Sequence, residues 1–315
     1  MANTEAGSLD VFDIDVDTGV LTSAGPAVAA GSAPSRVLVD PFGKFAFVSS
    51  ESESTVRTFE ISGSSLIELG SALAVPGNPG AMAIDPAGRT LYVTSLAADI
   101  VSSYSIDRST GALSSVGTVP TGNDPVSVVV DPTGRFLFTA NEGSGSIAAY
   151  RIDEGDFTGF ASGATLGSAS GLAVSPSGLV LFASRALSDQ VVPLSIDPES
   201  GNLTAQSSAG AAGSPENLVV SPSGNRLYAA LSGSGDLSRY SIGDSGKLTK
   251  LGQVDSGLGT LDLAIDPRGD LLFTVNRAGN DLTVFSIDSK GFATQTAKVP
   301  VGQGPESVDL HIKVQ

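Results

Sequence analysis

The chain has 315 residues, 33 of them acidic and 17 basic, for a net charge of −16. That charge repels phosphate backbones and excludes nucleic acid as a natural partner. The absence of cysteine excludes disulfides, thiolate nucleophiles and cysteine-ligated zinc. No apolar run approaches the ~20 residues of a membrane span. No secretory leader stands at the start of this numbering, while scarce Lys beside abundant Ser, Thr, Gly and Ala suits an exported (periplasmic or extracellular) protein better than a cytoplasmic one.

In chain order, the first strand-like segment runs from Leu9 to Phe12, followed by a Thr18-Gly19 hairpin and a weak strand at Leu21. Next comes an apolar run, Val37-Leu38-Val39, then Asp40-Pro41-Phe42-Gly43, then Phe45-Ala46-Phe47-Val48. This sequence of events recurs. Asp/Ser-Pro-x-Gly returns at Asp85, Asp131, Ser175, Ser221 and Asp266, in steps of 45, 46, 44, 46 and 45. A second marker, a bulky residue followed by x-Ile, starts at Phe12, Phe59, Tyr104, Tyr150, Leu194, Tyr240 and Phe285. In the six complete units the first marker precedes the second by 19 residues.

Each part of the unit has a physical reading. Asp or Ser caps a type I turn, Pro presets φ at the next position, and Gly relieves the exit. The apolar runs on either side have strand length, and a third strand ends on the Ile marker, as in Ile147-Ala148-Ala149-Tyr150-Arg151-Ile152. A Gly-containing hairpin and a weaker fourth strand follow. Four antiparallel strands repeated at this period predict an all-β, seven-bladed β-propeller. The blades fall near residues 34–78, 79–124, 125–168, 169–214, 215–259 and 260–304, with a seventh from 305–315 plus 1–33. In that split blade the C-terminal strand is the clasp, predicted over Glu306–Val314 as a long innermost strand A. The N-terminus supplies strands C and D, and strand B is short or absent.

The turn marker followed by Leu91-Tyr92-Val93-Thr94-Ser95 or Phe138-Thr139-Ala140-Asn141 resembles the YVTN-type repeats of the lactonase-like propellers, including the 6-phosphogluconolactonase family. The resemblance covers nearly the whole chain and implies the propeller fold. It also implies a histidine after the Pro that opens strand A, and here the sequence departs. The openings read Pro34-Ser35-Arg36, Pro79-Gly80-Ala81, Pro125-Val126-Ser127, Ala169-Ser170-Gly171, Pro215-Glu216-Asn217, Thr260-Leu261-Asp262 and Pro305-Glu306-Ser307, with no histidine in any.

Propellers of this kind work at the face where strand A begins. There the candidate ligand-binding residues are Arg36, Glu216, Asn217, Asp262 and Glu306, and three carboxylates, Glu216, Asp262 and Glu306, form a candidate Ca²⁺ set. B–C loops add Glu5, Glu51, Glu53, Asp99, Glu142, Asp189, Asp236 and Asp281, with Arg185 and Arg277 as counter-charges, so the rim is acidic. It suits a small molecule, a cation or a basic protein segment. Asp13-Ile14-Asp15-Val16-Asp17 lacks the Gly and the terminal Glu of a calcium loop and reads as a solvent face. His311, the only histidine, lies at the far end of strand A and reads as packed or exposed. Without histidine at the openings, the sequence favours a non-catalytic ligand-binding or interaction module over a lactonase-like hydrolase. It also predicts no enzyme-like turnover of 6-phosphogluconolactone, whose phosphate needs cations the mouth lacks.

Overall fold

The computed structural model describes residues 1–311. It is a ring of seven antiparallel blades with strands A to D hydrogen-bonded from the central channel outward, in chain order in blades 1 to 6. Strand A spans Pro34–Val39 in blade 1, Pro79–Ile84 in blade 2 and Pro125–Val130 in blade 3. It spans Leu172–Val174, Pro215–Val220 and Thr260–Ile265 in blades 4 to 6. Among the described residues the one helical segment is a single 3-10 turn, Ala186–Ser188.

All six Asp/Ser-Pro-x-Gly segments join strand A to strand B, as the spacing predicts. At Asp40 the Gly43 amide closes the turn onto the Asp40 carbonyl (2.9 Å), and Asp40 Oδ1 accepts the amides of Lys44 and Phe45, both at 2.6 Å. Ser175 does the same with one hydroxyl, accepting Val180 N at 3.1 Å. The Asp after the Ile marker has a matching task on the same face, where strand C ends beside the A–B turn. Asp15, Asp107, Asp197 and Asp288 each accept backbone amides of the C–D hairpin. This is the role of the central aspartate in the Asp13–Asp17 run, which the alternation alone reads only as solvent-facing.

Packing explains why strand B is apolar at nearly every position while strand D is not. Strand B (Phe45–Ser50, Phe136–Asn141, Leu271–Asn276) is buried throughout because its blade is covered on both faces. Strand D, as in Leu113–Pro120, alternates toward solvent at the outer edge. Among the described residues the buried side chains form seven clusters, one at each seam between neighbouring blades. Phe47 of blade 1, for example, packs with Leu91 and Tyr104 of blade 2. Tyr hydroxyls cross these seams: Tyr150 donates to the Pro120 carbonyl at 2.7 Å and Tyr240 to that of Gly210 at 3.0 Å. Each buried ring contributes roughly 1.5–3 kcal/mol, so stability grows by stacking blades rather than within any one of them.

Blade 7 is built from both termini, but not quite as the sequence suggests. Strand A is Pro305–Ser307 and pairs with Ala2–Asn3, which supplies strand B, while strands C and D follow from Ser8–Leu9 with Phe12–Ile14 and from Leu21–Ser23 with Val28–Ala29. The long clasp is therefore cut to three residues within the described chain. After Ser307, side chains rather than a ladder hold the segment to blade 1. Ile312–Val314, which the expected clasp includes, lie outside the described residues.

Candidate active site at the channel mouth

Strand A places one residue per blade at the neck of the channel, two positions after its opening residue. Around the ring these are Arg36, Ala81, Ser127, Gly171, Asn217, Asp262 and Ser307, all but Gly171 lining a cavity of about 180 Å³. One position nearer the opening stand Ser35, Gly80, Val126, Ser170, Glu216, Leu261 and Glu306. The five sequence candidates thus divide between two levels of one mouth: Arg36, Asn217 and Asp262 at the neck, Glu216 and Glu306 above it.

Asp262 is 9% exposed, and its carboxylate is spoken for. It accepts Asn217 Nδ2 of blade 5 at 2.9 Å, its neighbour Leu263 N at 2.9 Å, and Val308 N of blade 7 at 3.0 Å. The lacing continues onward: Ser307 Oγ accepts Val37 N at 3.3 Å and Asp309 Oδ2 accepts Val39 N at 2.7 Å, both in blade 1. Side chains thus take the place of a ladder across three blade seams. Burial pushes the Asp262 carboxyl up, against the pull of Arg36 and of the amides it accepts. Asp309 is pushed up to about 6, chiefly by burial, with Asp262 adding to the rise. The sequence reading passed over Asp309; its signal was the alternation of Ser307 and Asp309 on one face of the last strand.

Above the neck, Glu306 pairs with Arg277 at 2.7 Å. Glu216 accepts the Ser232 hydroxyl at 3.0 Å, and burial raises its carboxyl above the ordinary glutamate value. Ser232 and Arg36 pull it back, and Glu142 pushes it further. Glu51, more exposed, is raised by desolvation and by Glu306, against Arg36 and Arg277. Arg36 sits within electrostatic reach of Glu51, Glu216 and Asp262. Among the described residues its guanidinium makes one hydrogen bond, Nη1 to the Ser35 carbonyl at 3.2 Å, and no carboxylate lies within ion-pair distance of it. The mouth therefore holds one guanidinium without a carboxylate partner, flanked by carboxyls of raised affinity for protons.

Much of the rim's acidity has a different task. Glu53 accepts Ser32 N, Asp99 accepts Asp124 N, and Asp189 accepts Gly213 N and Ser214 N. Asp281 takes Asn276 Nδ2 and pairs with Lys298. Asp99 and Asp189 tie their B–C loops to the following D–A loop, Glu53 ties its own to the preceding one, and Asp281 holds the end of strand B to strand D within its blade. Those hydrogen bonds hold Glu53 and Asp189 below the usual carboxylate range. Of the proposed counter-charges, Arg277 reaches the mouth, whereas Arg185 donates to Gln190 at 2.9 Å. Glu216, Asp262 and Glu306 each engage a different partner, and among the described residues no group of three or more His, Asp or Glu is arranged to hold a metal ion. His311 lies at the opposite face, its ring against Gly43.

A larger cavity, about 720 Å³, opens toward that opposite face beside Phe12, Phe273, Leu310 and His311, where the other six blades carry the first half of strand B. It adjoins the end of the described chain and shares Val37, Val308 and Asp309 with the cavity at the neck.

A family model described as "Lactonase, 7-bladed beta-propeller" matches residues 2–159, 155–261 and 182–311. No curated protein matches the chain significantly. Among solved structures, a Bacteroides fragilis protein described provisionally as a 6-phosphogluconolactonase is 18% identical, with 98% of this chain and 100% of that one covered at a TM-score of 0.83. The periplasmic gluconolactonase of Pseudomonas aeruginosa is 21% identical over 96% of this chain and 95% of its own, with a TM-score of 0.78. Hydrazine synthase of Kuenenia stuttgartiensis, 20% identical over 87% and 88%, still gives a TM-score of 0.71. At these identities the likeness is one of fold, and the fold carries unrelated chemistries.

Proposed function

Because the chain belongs to the lactonase family of seven-bladed β-propellers, we propose that it is a hydrolase that opens a small lactone at the channel mouth. The missing histidines alone favour a non-catalytic module; the family match and the lactonase-like neighbours support the hydrolase better, and the order of the two readings is reversed. Histidine is not the only group that can activate water. A carboxylate with raised proton affinity is a competent general base near neutral pH.

Arg36 carries the reading. A guanidinium in the mouth without a carboxylate partner is a ready donor for the oxyanion that develops on a lactone carbonyl. In the proposed reaction Glu216 takes a proton from water, and the water oxygen bonds to the carbonyl carbon. Arg36 stabilises the resulting tetrahedral oxyanion. When the ring C–O bond breaks, the leaving alkoxide takes the proton from Glu216, giving the open hydroxy acid. Ser232 orients Glu216 through the hydrogen bond at 3.0 Å.

The test is a steady-state assay on a panel of uncharged lactones, comparing wild type with Glu216→Gln and Arg36→Ala. Loss of one oxyanion donor costs about 10²–10³ in kcat. Turnover unchanged in both variants, or no turnover of any lactone by wild type, rejects the assignment.

A further inference from the structure

The mouth has two unlike sides. Blades 5, 6, 7 and 1 bring Asn217, Asp262, Ser307 and Arg36 to the neck, with Glu216 and Glu306 above. Blades 2 to 4 bring Ala81, Ser127 and Gly171 to the same level, with Gly80, Val126 and Ser170 above. Apart from Ser127 the cavity wall on that side is apolar: Met82, Val128, Val129 and Leu172 join Ala81 and Val126. Leu96 leans over the same side, since a Cβ on Gly80 would stand 3.2 Å from its Cγ and Cδ2. The division is one of charged and amide groups rather than of the whole wall: Val37, Leu38 and Val308 of blades 1 and 7 also line the cavity, Ser127 and Ser170 stand on the other side, and Glu142 in blade 3 and Leu261 in blade 6 depart from it too. Glu142 is exposed and acts electrostatically on Glu216 across the mouth, and Leu261 does not line the cavity.

A cavity of about 180 Å³ whose charged and amide side chains all lie on one side selects for an amphipathic guest. Cavities of about 150 Å³ with apolar walls accept benzene-sized ligands. A polyhydroxylated sugar ring would face Met82, Val126 and Leu172 with hydroxyls it must desolvate there. A phosphorylated one would add a dianion beside Glu51, Glu142, Glu216 and Glu306, with Arg277 already paired to Glu306. We infer that the site takes an uncharged lactone carrying a short apolar substituent. The carbonyl meets Arg36, and the substituent descends along the Ala81–Met82–Val126 wall into the channel. This rests on the hydrolase reading above and adds to it the class of substrate.

The experiment measures kcat/KM for neutral lactones with alkyl substituents of increasing length, beside gluconolactone and 6-phosphogluconolactone. It also measures binding of the matching alkyl lactams, which are not hydrolysed, by calorimetry. The expected result is a rise in kcat/KM and in lactam affinity of about fourfold per added methylene until the cavity is full. The two sugar lactones fall at least tenfold below the best alkyl lactone. Val126→Thr, a near-isosteric change, flattens the dependence on chain length; Val126→Asp flattens it further, with the melting curve reporting whether that variant folds. Lactone turnover with no length dependence, or with either sugar lactone preferred, overturns the inference and leaves the hydrolase standing. Length-dependent lactam binding without turnover of any lactone removes the hydrolase alone. Neither binding nor turnover removes both.

Discussion

Replacing Asp262 with Ala tests whether the side-chain lacing around the channel holds the ring together. The change removes an acceptor from Asn217 Nδ2, Leu263 N and Val308 N. Val308 is 9% exposed, so its amide has little recourse to water, whereas Asn217 is half-buried and recovers part of its loss. An orphaned buried donor costs about 1–3 kcal/mol and a lost but rehydrated bond about 0.5–1.5 kcal/mol. Removal of a carboxylate that burial already penalises offsets some of this. The net expectation is about 2–3 kcal/mol. With an unfolding entropy of about 2.1 cal/mol/K per residue over 315 residues, the melting temperature falls by about 3–5 °C. The sign of the pH dependence follows from the raised folded-state affinity for protons. Asp262 stabilises the fold most when protonated, and that contribution declines as pH rises through its folded value. The gap between wild type and variant should therefore be wider at pH 3.5, below the ordinary aspartate value of 3.8, than at pH 7.5. Differential scanning calorimetry at both pH values reads the effect, and amide exchange at Val308 locates it. A melting temperature within 1 °C of wild type at pH 3.5, with Val308 still protected, would show that blade packing alone closes the ring.

Further outcomes follow from the same geometry. The acid limb of the kcat/KM–pH profile should lie above the ordinary glutamate value of 4.5, because Glu216 must lose its proton to act and burial raises its affinity for it; Glu216→Gln should remove the limb. Asp309, pushed up from 3.8 to about 6, should make the wild type less stable as pH climbs between those values, by at most about 3 kcal/mol, and Asp309→Asn should flatten that slope in urea titrations. Gly171→Ala should lower the melting temperature by several degrees, since its Cβ would stand 2.0 Å from the Glu216 carbonyl oxygen, and a stable, active variant would refute the close approach of blades 4 and 5. Added Ca²⁺ or a chelator should leave the melting temperature unchanged, because Glu216, Asp262 and Glu306 already serve Ser232, Asn217 and Arg277; a clear rise would restore a metal at the mouth.

The fold was open to sequence reasoning because its determinants are local and repeated. Asp-Pro-x-Gly sets one turn, the Ile-Asp marker sets another, and a constant 19 residues between them leaves room for one strand pair and its connection. Blade 7 was harder for the same reason. Its turn marker is replaced around His311, so no local signal showed that Ala2–Asn3 completes the sheet as strand B. Pairing between residues about 300 positions apart is decided by which edge is left open, and a local pattern cannot report that.

At the mouth, position could be read from the repeat but allegiance could not. The interval from each turn marker placed Arg36, Asn217 and Asp262 at one level and Glu216 and Glu306 at the next. Nothing in that interval distinguishes a carboxylate that laces blades from one that faces a guest. Asp262 and Glu216 differ by a single step along strand A, yet one meets the amide of the neighbouring strand and the other meets a serine hydroxyl and open space. The same ambiguity inflated the acidic rim, where Glu53, Asp99 and Asp189 turn back to cap main-chain amides. Arg36 shows the reverse case. Among so many acids an arginine looks certain to be neutralised, but of the carboxylates within its electrostatic reach Glu216 is held by Ser232 and Asp262 by the Asn217–Val308 lacing, and Glu51 stands beyond ion-pair distance. Its lack of a carboxylate partner comes from the structural duties of its neighbours, and it leaves the guanidinium available to the guest.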